Sequence, residues 1–251
     1  MKLLVDVGNT RAKWAVLEQG RLSRAGAAIH RGLRDAEWLG GLDALAGPCE
    51  RILVSNVAGP AVAHTLGEWA LARHGLRPEF VHATRSAAGV ENSYDHPETL
   101  GADRWLGMIA AWRRVHGALV CIAAGTAMTV DALDPQGRHM GGLIMPGYDM
   151  MTDSLLRRTS DIARSASLEA PLANGMLGRN TAAAVELGAS HALSALAERV
   201  VDWVRGESGA VPRVLIGGGD AARIEPLLNV RADVVPDLVL EGLAVIAEVN
   251  S

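Results

Sequence analysis

The residues best equipped for chemistry open the chain: Asp6, Val7, Gly8, Asn9, Thr10, Arg11, Ala12 and Lys13. They continue Leu3-Leu4-Val5, a short apolar run that reads as a buried strand. A carboxylate at the end of such a strand is held rigidly and can take Mg²⁺ or its waters. The glycine beside it lets backbone N–H groups approach a ligand closely. Asn9, Thr10 and Lys13 add donors, so the segment holds what a phosphate–metal site needs. The same residues also make an ordinary hairpin, because Asn and Gly are common in turns. On chemistry alone both readings stand.

Three further segments carry donors or acids. Gly125-Thr126-Ala127-Met128-Thr129 supplies hydroxyls and backbone N–H groups but no carboxylate, since Ala123 stands where Asp6 stands in the first loop. Two such glycine hairpins facing each other across a cleft would hold a polyphosphate from both sides. Gly217-Gly218-Gly219, after the strand-like Val214-Leu215-Ile216, is another place for close backbone approach and suits nucleotide contact near a helix N-terminus. Gly101-Ala102-Asp103-Arg104 opens a helical stretch. Asp there is ordinarily a cap or a partner for the helix dipole. Beside an Arg it can also take a proton from a substrate hydroxyl, while the Arg clamps an anionic group bidentately. The polar run Asn92-Ser93-Tyr94-Asp95-His96-Pro97 just before it could shape a substrate pocket. Competing motifs are missing: the sequence has no G-x-x-x-x-G-K-[ST], no H-E-x-x-H and no G-x-S-x-G. A formal G-x-G-x-x-A match at Gly217–Ala222 is weak evidence so near the C-terminus.

The elements that must position these residues alternate between strand and helix, which argues for α/β layers. Strands are expected at Leu3–Val7, Ala12–Leu17, Ile52–Val57, Phe80–His82, Val120–Ala124, Met128–Leu133 and Val214–Ile216. Helices are expected at Ala61–His74 with Gly75 as C-cap, Leu100–His116 ended by Gly117, Thr181–Val204, Ala221–Leu228 and Leu238–Val249. The same distance, 117 residues, separates Gly8 from Gly125 and Gly20 from Gly137. A repeat at nearly half the chain length points to a duplicated domain. The expected division is residues 1–117 and 118–251. The polar stretch 158–180 reads either as ordered or as a lid.

Composition bounds the class. With 251 residues, 49% hydrophobic and 21% charged, the chain is globular rather than disordered. A net charge of −4 without a Lys/Arg cluster disfavours nucleic acid as a partner. Two cysteines, Cys49 and Cys121, exclude a disulfide framework. The N-terminus enters a strand directly, and the most apolar run, Ala118–Val130, is shorter than a membrane span. The expectation is a cytoplasmic protein with no membrane partner.

Six segments, Asp6–Thr10, Gly101–Arg104, Gly125–Ala127, Gly141–Gly147, Gly178–Thr181 and Leu240–Leu243, occur in this order in one family, and together they cover nearly the whole chain. The sequence closely resembles the type III pantothenate kinases, also known as the Bvg accessory factor family. The resemblance implies two ribonuclease H-like domains of the actin-like ATPase kind, with a nucleotide cleft between them. It implies phosphorylation of pantothenate by ATP with Mg²⁺, the first step toward coenzyme A, in a homodimer. A kinase for another small anionic alcohol and a non-catalytic nucleotide-binding regulator are the alternatives. By resemblance, residues Asp6 through Lys13 form the first phosphate loop, with Asp6 near Mg²⁺, and Thr126 contacts ATP in the second. Asp103 accepts the proton of the pantothenate hydroxyl. Tyr94, Gly101, Ala102 and Arg104 contact pantothenate, Arg104 through the carboxylate, and Thr181 contacts substrate, in one version across the dimer. One position departs from the pattern. Many members carry Asp where this chain has Ala123, and there it ligates K⁺ or NH₄⁺; a methyl group cannot. A weakened or missing monovalent-cation site is therefore expected.

Overall fold

The computed structural model describes residues 1–30, 35–43, 48–166 and 175–249. Its elements fall into two compact units. The first contains β1 (Lys2–Val7), β2 (Arg11–Glu18), β3 (Arg21–Ile29), α1 (Asp35–Asp43), β4 (Arg51–Asn56), α2 (Pro60–His74), β5 (Glu79–Phe80), β6 (Ser86–Ala87), β7 (Val90–Glu91) and α3 (Ala102–Val115). The second contains β8 (Leu119–Ala124), β9 (Ala127–Leu133), most of β10 (His139–Pro146), α4 (Tyr148–Arg158), α5 (Ser160–Ala166), α6 (Thr181–Ser208), β11 (Arg213–Gly217), α7 (Ala221–Ile224) and β12 (Ala232–Val234). The closing helix α8 (Leu238–Val249) belongs to the first unit.

The two units repeat one topology. The first sheet runs β3-β2-β1-β4-β5 and the second β10-β9-β8-β11-β12. In each, an antiparallel hairpin precedes parallel strands. β1 and β8 are buried because their residues are almost all apolar, as central strands covered on both faces require. The hairpins differ in one respect. Val7 pairs with Ala12, leaving four residues in the first loop, whereas Ala124 pairs with Met128, leaving three. Gly8 N–H accordingly donates to Arg11 O at 3.0 Å, and Gly125 N–H to Ala127 O at 3.2 Å.

Residues 137–139 and 237–249 pack with the first unit. Apolar burial explains why α8 crosses over. Leu240 and Leu243 are wholly buried, and each such side chain contributes about 1.5–3 kcal/mol. Gly242 sits so close to α3 that a Cβ would run into the Leu106 backbone carbonyl. Arg114 on α3 grips Glu241 with two hydrogen bonds of 2.6 Å. This half-exposed ion pair is worth only about 0–1 kcal/mol, so burial docks the helix and the pair fixes its register. The Leu240–Leu243 segment is thus a packing device that locks α8 onto the helix carrying Asp103.

Other boundaries moved for local reasons. α3 starts at Ala102, because Pro97–Thr99 forms a short 3₁₀ turn and Gly101 stands at the N-cap. It ends at Val115 and is capped by His116, which adopts φ 48°, one residue before the Gly117 expected to end it. α2 ends as expected at Gly75, with φ 67°. α7 stops at Ile224, where Glu225–Leu227 turns 3₁₀. β3, α1, β6, β7, β10, α4 and β12 have no counterpart among the expected elements. Of the stretch 158–180, Ser160–Ala166 is helical, while residues 167–174 lie outside the described residues.

Candidate active site

The first-unit site is built from the ends of β1, β2 and α3, the start of α8 and the loop before α3. Asp6 occupies the penultimate position of β1, in register with Lys13 of β2 and Ser55 of β4. Paired residues share a face of the sheet, so Lys13 stands beside Asp6. Asp6 Oδ1 is sealed from solvent and has no hydrogen-bond partner. Burial, and then the charges of Asp103 and Asp237, push the Asp6 carboxyl up to about 7, while Ser55 and Lys13 pull it down. Lys13 Nζ also lies 3.5 Å from Asp237 Oδ1. Three acids and one ammonium therefore share a small space, and an incoming cation would relieve the excess negative charge.

Among the described residues no group of three or more His, Cys, Asp or Glu side chains could hold a metal ion. Mg²⁺ commonly needs only one or two carboxylates, because waters and phosphate oxygens complete its shell. The unpartnered, buried Asp6 oxygen at the mouth of a glycine loop fits that role.

Asp103 is the second residue of α3. Its Oδ1 accepts the Arg104 N–H at 2.8 Å, one of the helix's orphan donors. A side chain at Gly101 would collide with that oxygen, so glycine there leaves the carboxylate its position. The ordinary helix-end role of Asp103 is real and sits alongside its electrostatic reach to Asp6. Arg104 is buried and donates from Nη1 to the Tyr94 hydroxyl at 3.0 Å. Tyr94 is braced in turn: its N–H donates to Asn92 Oδ1 at 3.0 Å, and Asn92 Nδ2 donates to Pro97 O at 3.2 Å. Arg85 ties the same loop by donating to Asn92 O and Asp95 O. Burying a guanidinium is costly, and beside a phenol it makes a strong seat for a carboxylate.

The second unit holds Thr126 and Thr181. Thr126 is in the β8–β9 loop, whose backbone is clasped by two glycines. Gly147 N–H donates to Thr126 O at 3.0 Å, and neither Gly147 nor Gly218 could carry a Cβ without striking the loop backbone at Gly125 or Ala124. Gly218 has φ 99°, so the Gly217–Gly219 triplet serves loop packing as well as any ligand. Ala123 pairs with Thr129 where Asp6 pairs with Lys13, so this hairpin carries neither charge. Thr181 is the first residue of α6, and Asn180 caps that helix by accepting the Ala183 N–H at 2.8 Å. Gly178 packs against the Ala183–Ala184 backbone. The Gly178–Thr181 segment is thereby a helix start that fixes the Thr181 position.

Sequence reasoning missed Asp237 and His139. Asp237 carried a readable signal, an acid following Pro236 just before the apolar run of α8. His139 carried none. It is buried, stacks on Tyr94 with centroids 5.8 Å apart, and shares a 3.2 Å hydrogen bond with Ser93.

The chain is similar to known proteins over nearly its whole length. A family model described as type III pantothenate kinase matches residues 2–203. A type III pantothenate kinase of Nitrosococcus oceani is 39% identical, the alignment covering 100% of this chain and 95% of that one. Among solved structures, a protein described as a Baf family transcriptional activator from Campylobacter jejuni superposes with a TM-score of 0.58 at 18% identity, over 99% of this chain and 98% of that one. One described as a 2-dehydro-3-deoxygalactonokinase from Sinorhizobium meliloti reaches 0.61 at 13% identity, over 100% and 99%. The structural likenesses show a shared fold, here two α/β units whose five-stranded sheets run in matching order. With its family model matched over most of the chain and a full-length relative at this identity, the chain belongs to the type III pantothenate kinase family.

Proposed function

We propose that this chain transfers the γ-phosphoryl group of ATP to the primary hydroxyl of pantothenate, giving 4′-phosphopantothenate at the start of coenzyme A biosynthesis. Family membership supports the reaction, and one observation carries its chemistry. Asp103 and Arg104 open α3 side by side, with Tyr94 on the guanidinium and the Asp103 charge felt at Asp6.

The loop from Gly8 to Arg11, with Asp6 and Lys13 at its base, takes the phosphates through backbone N–H groups and the ammonium. Val7 and Ala12, buried and paired, fix the loop's two ends. Thr126 and the amides around it offer donors of the same kind from the second hairpin. Mg²⁺, when bound, neutralises charge on the transferred phosphoryl, and Asp6 is the residue to hold it, through water. Arg104 pairs with the pantothenate carboxylate, Tyr94 and the Gly101–Ala102 backbone line the alcohol's approach, and Asp103 faces the hydroxyl. Asp103 takes the hydroxyl proton as the oxygen bonds to the γ-phosphorus and the bond to the β–γ bridging oxygen breaks, releasing ADP. Positioning and charge stabilisation supply most of the acceleration. Thr181 contacts substrate, contributed across a homodimer. The working compartment is the cytoplasm; among the described residues no helix is long and apolar enough to cross a membrane.

ADP release measured with and without pantothenate tests the whole reading. Pantothenate-dependent turnover is expected. Turnover only with another hydroxy acid would move the substrate assignment, and nucleotide binding without turnover would make the protein a regulator. Replacing Arg104 by Ala should raise the KM for pantothenate about 10- to 100-fold, with a smaller change in kcat, because a carboxylate clamp binds ground and transition states alike. An unchanged KM rejects the clamp.

The residues at the second hairpin do not fit a carboxylate-ligated monovalent cation, since Ala123 offers only a methyl group. Rates in K⁺, NH₄⁺ and Na⁺ salts at one ionic strength should therefore agree within about twofold, below the change a lost ligand brings. Strong activation by K⁺ would mean that other oxygens hold the ion.

A further inference from the structure

His30 follows β3 and holds the first phosphate loop from both ends. Its ring Nε2 lies 2.6 Å from Gly8 O, and its backbone N–H donates to Thr10 O at 3.0 Å. A carbonyl cannot donate, so Nε2 carries the proton in this contact. The ring is buried and leans on Trp38, itself 2% exposed, with centroids 5.8 Å apart. A peptide unit is planar and trans, so its C=O and N–H point in opposite directions. Fixing the Gly8 carbonyl toward His30 turns the Asn9 N–H away from it. Fixing the Thr10 carbonyl does the same for the Arg11 N–H. These are amides of the loop assigned to the nucleotide phosphates. A glycine at position 8 would otherwise let that first peptide rotate freely.

We infer that His30 is a positioning residue for nucleotide binding: its Nε2–H bond to Gly8 O sets the direction in which the loop amides present themselves to phosphate. The inference rests on the kinase reading only in naming that loop as the phosphate site. His30 need not touch the nucleotide, and its effect passes through the loop backbone.

The test compares the wild type with His30→Phe, which keeps a ring against Trp38 but donates nothing, and His30→Gln, whose amide N–H can stand where Nε2–H stood. ADP affinity in the presence of Mg²⁺ is measured by calorimetry, and KM values for ATP and pantothenate by turnover. The Phe variant should bind ADP about five- to tenfold more weakly and show a KM for ATP raised by about the same factor, the size of one lost hydrogen bond to a loop. Its KM for pantothenate should stay within about twofold, and the Gln variant should recover most of the ADP affinity. Unchanged ADP binding by the Phe variant overturns the role. Equal losses in the Phe and Gln variants overturn it too, because the ring would then act by packing alone. If the Phe variant does not fold, His30→Asn, whose amide stops short of Gly8, replaces it with the same readings. ADP binding needs no pantothenate, so a wild type that binds ADP but fails to phosphorylate pantothenate would sink the substrate assignment and leave this comparison intact.

Discussion

Replacing Asp103 by Asn lowers kcat about 10²–10⁴-fold while the protein stays folded, the range a positioned general base supplies. The amide keeps an oxygen for the Arg104 N–H, and glycine at 101 leaves it the same room, so the start of α3 is undisturbed. What is lost is the ability to take a proton from the alcohol. KM for pantothenate should move little, because Arg104 and Tyr94 remain. A second consequence separates this change from simple damage. The Asp103 charge is the largest influence after burial that raises the Asp6 carboxyl, so its removal should let Asp6 ionise at lower pH. Kinetics in both substrates together with thermal melting check the prediction. Turnover within about threefold of wild type would remove Asp103 from the role of base.

Replacing Asp6 by Asn stabilises the nucleotide-free protein at pH 8 and yet removes most of its turnover. The sign follows from linkage. The folded protein holds the Asp6 proton up to about pH 7, whereas the unfolded chain gives it up near 3.8. Between those values the unfolded state binds fewer protons, so wild-type stability declines as pH rises from about 4 to about 7 and then levels off. Asn carries no such penalty. Each tenfold change in acidity is worth about 1.4 kcal/mol, and partial exposure of the loop mouth reduces the total, giving an advantage on the order of 2–4 kcal/mol at pH 8. Below about pH 4 the advantage vanishes, because both states of the wild type are then protonated. Denaturant titrations at pH 4.5 and 8, without nucleotide or Mg²⁺, measure it. An Asn variant no more stable than wild type at pH 8 would mean that Asp6 is not held above its ordinary value. Turnover should fall by at least about 10²-fold, the usual loss when a preorganised charge at a phosphoryl group is removed. Opposite effects on stability and activity are the mark of a residue kept for chemistry at the expense of the fold.

Much of this protein can be read from local pattern. β1, β8 and the hairpin strands beside them are short apolar runs broken by Gly, and a run of that kind can be buried in only a few ways. The repeat between Gly8 and Gly125 announces the two sheets of matching order because side chains in equivalent strands answer to the same burial. Asp6, Asp103 and Arg104 stand out because acids and bases at the ends of apolar elements are rarely there for packing. Local pattern is silent where contacts join residues far apart in the chain. Nothing near His139 marks it as the support under Tyr94, and nothing near His30 marks it as the anchor of Gly8. The C-terminal helix reads from sequence as part of the second half, yet it packs in the first unit, because its buried leucines and Gly242 fit the surface of α3. That packing brings Asp237 to Lys13 and completes the field that raises Asp6. Sequence periodicity thus determined the central strands and most of the long helices and singled out the candidate reactive side chains, since each depends on neighbours a few residues away. Only tertiary structure decided which charges share a space and which backbone carbonyls are pinned, because Coulomb forces and hydrogen bonds act over ångströms of space, whatever the distance along the chain.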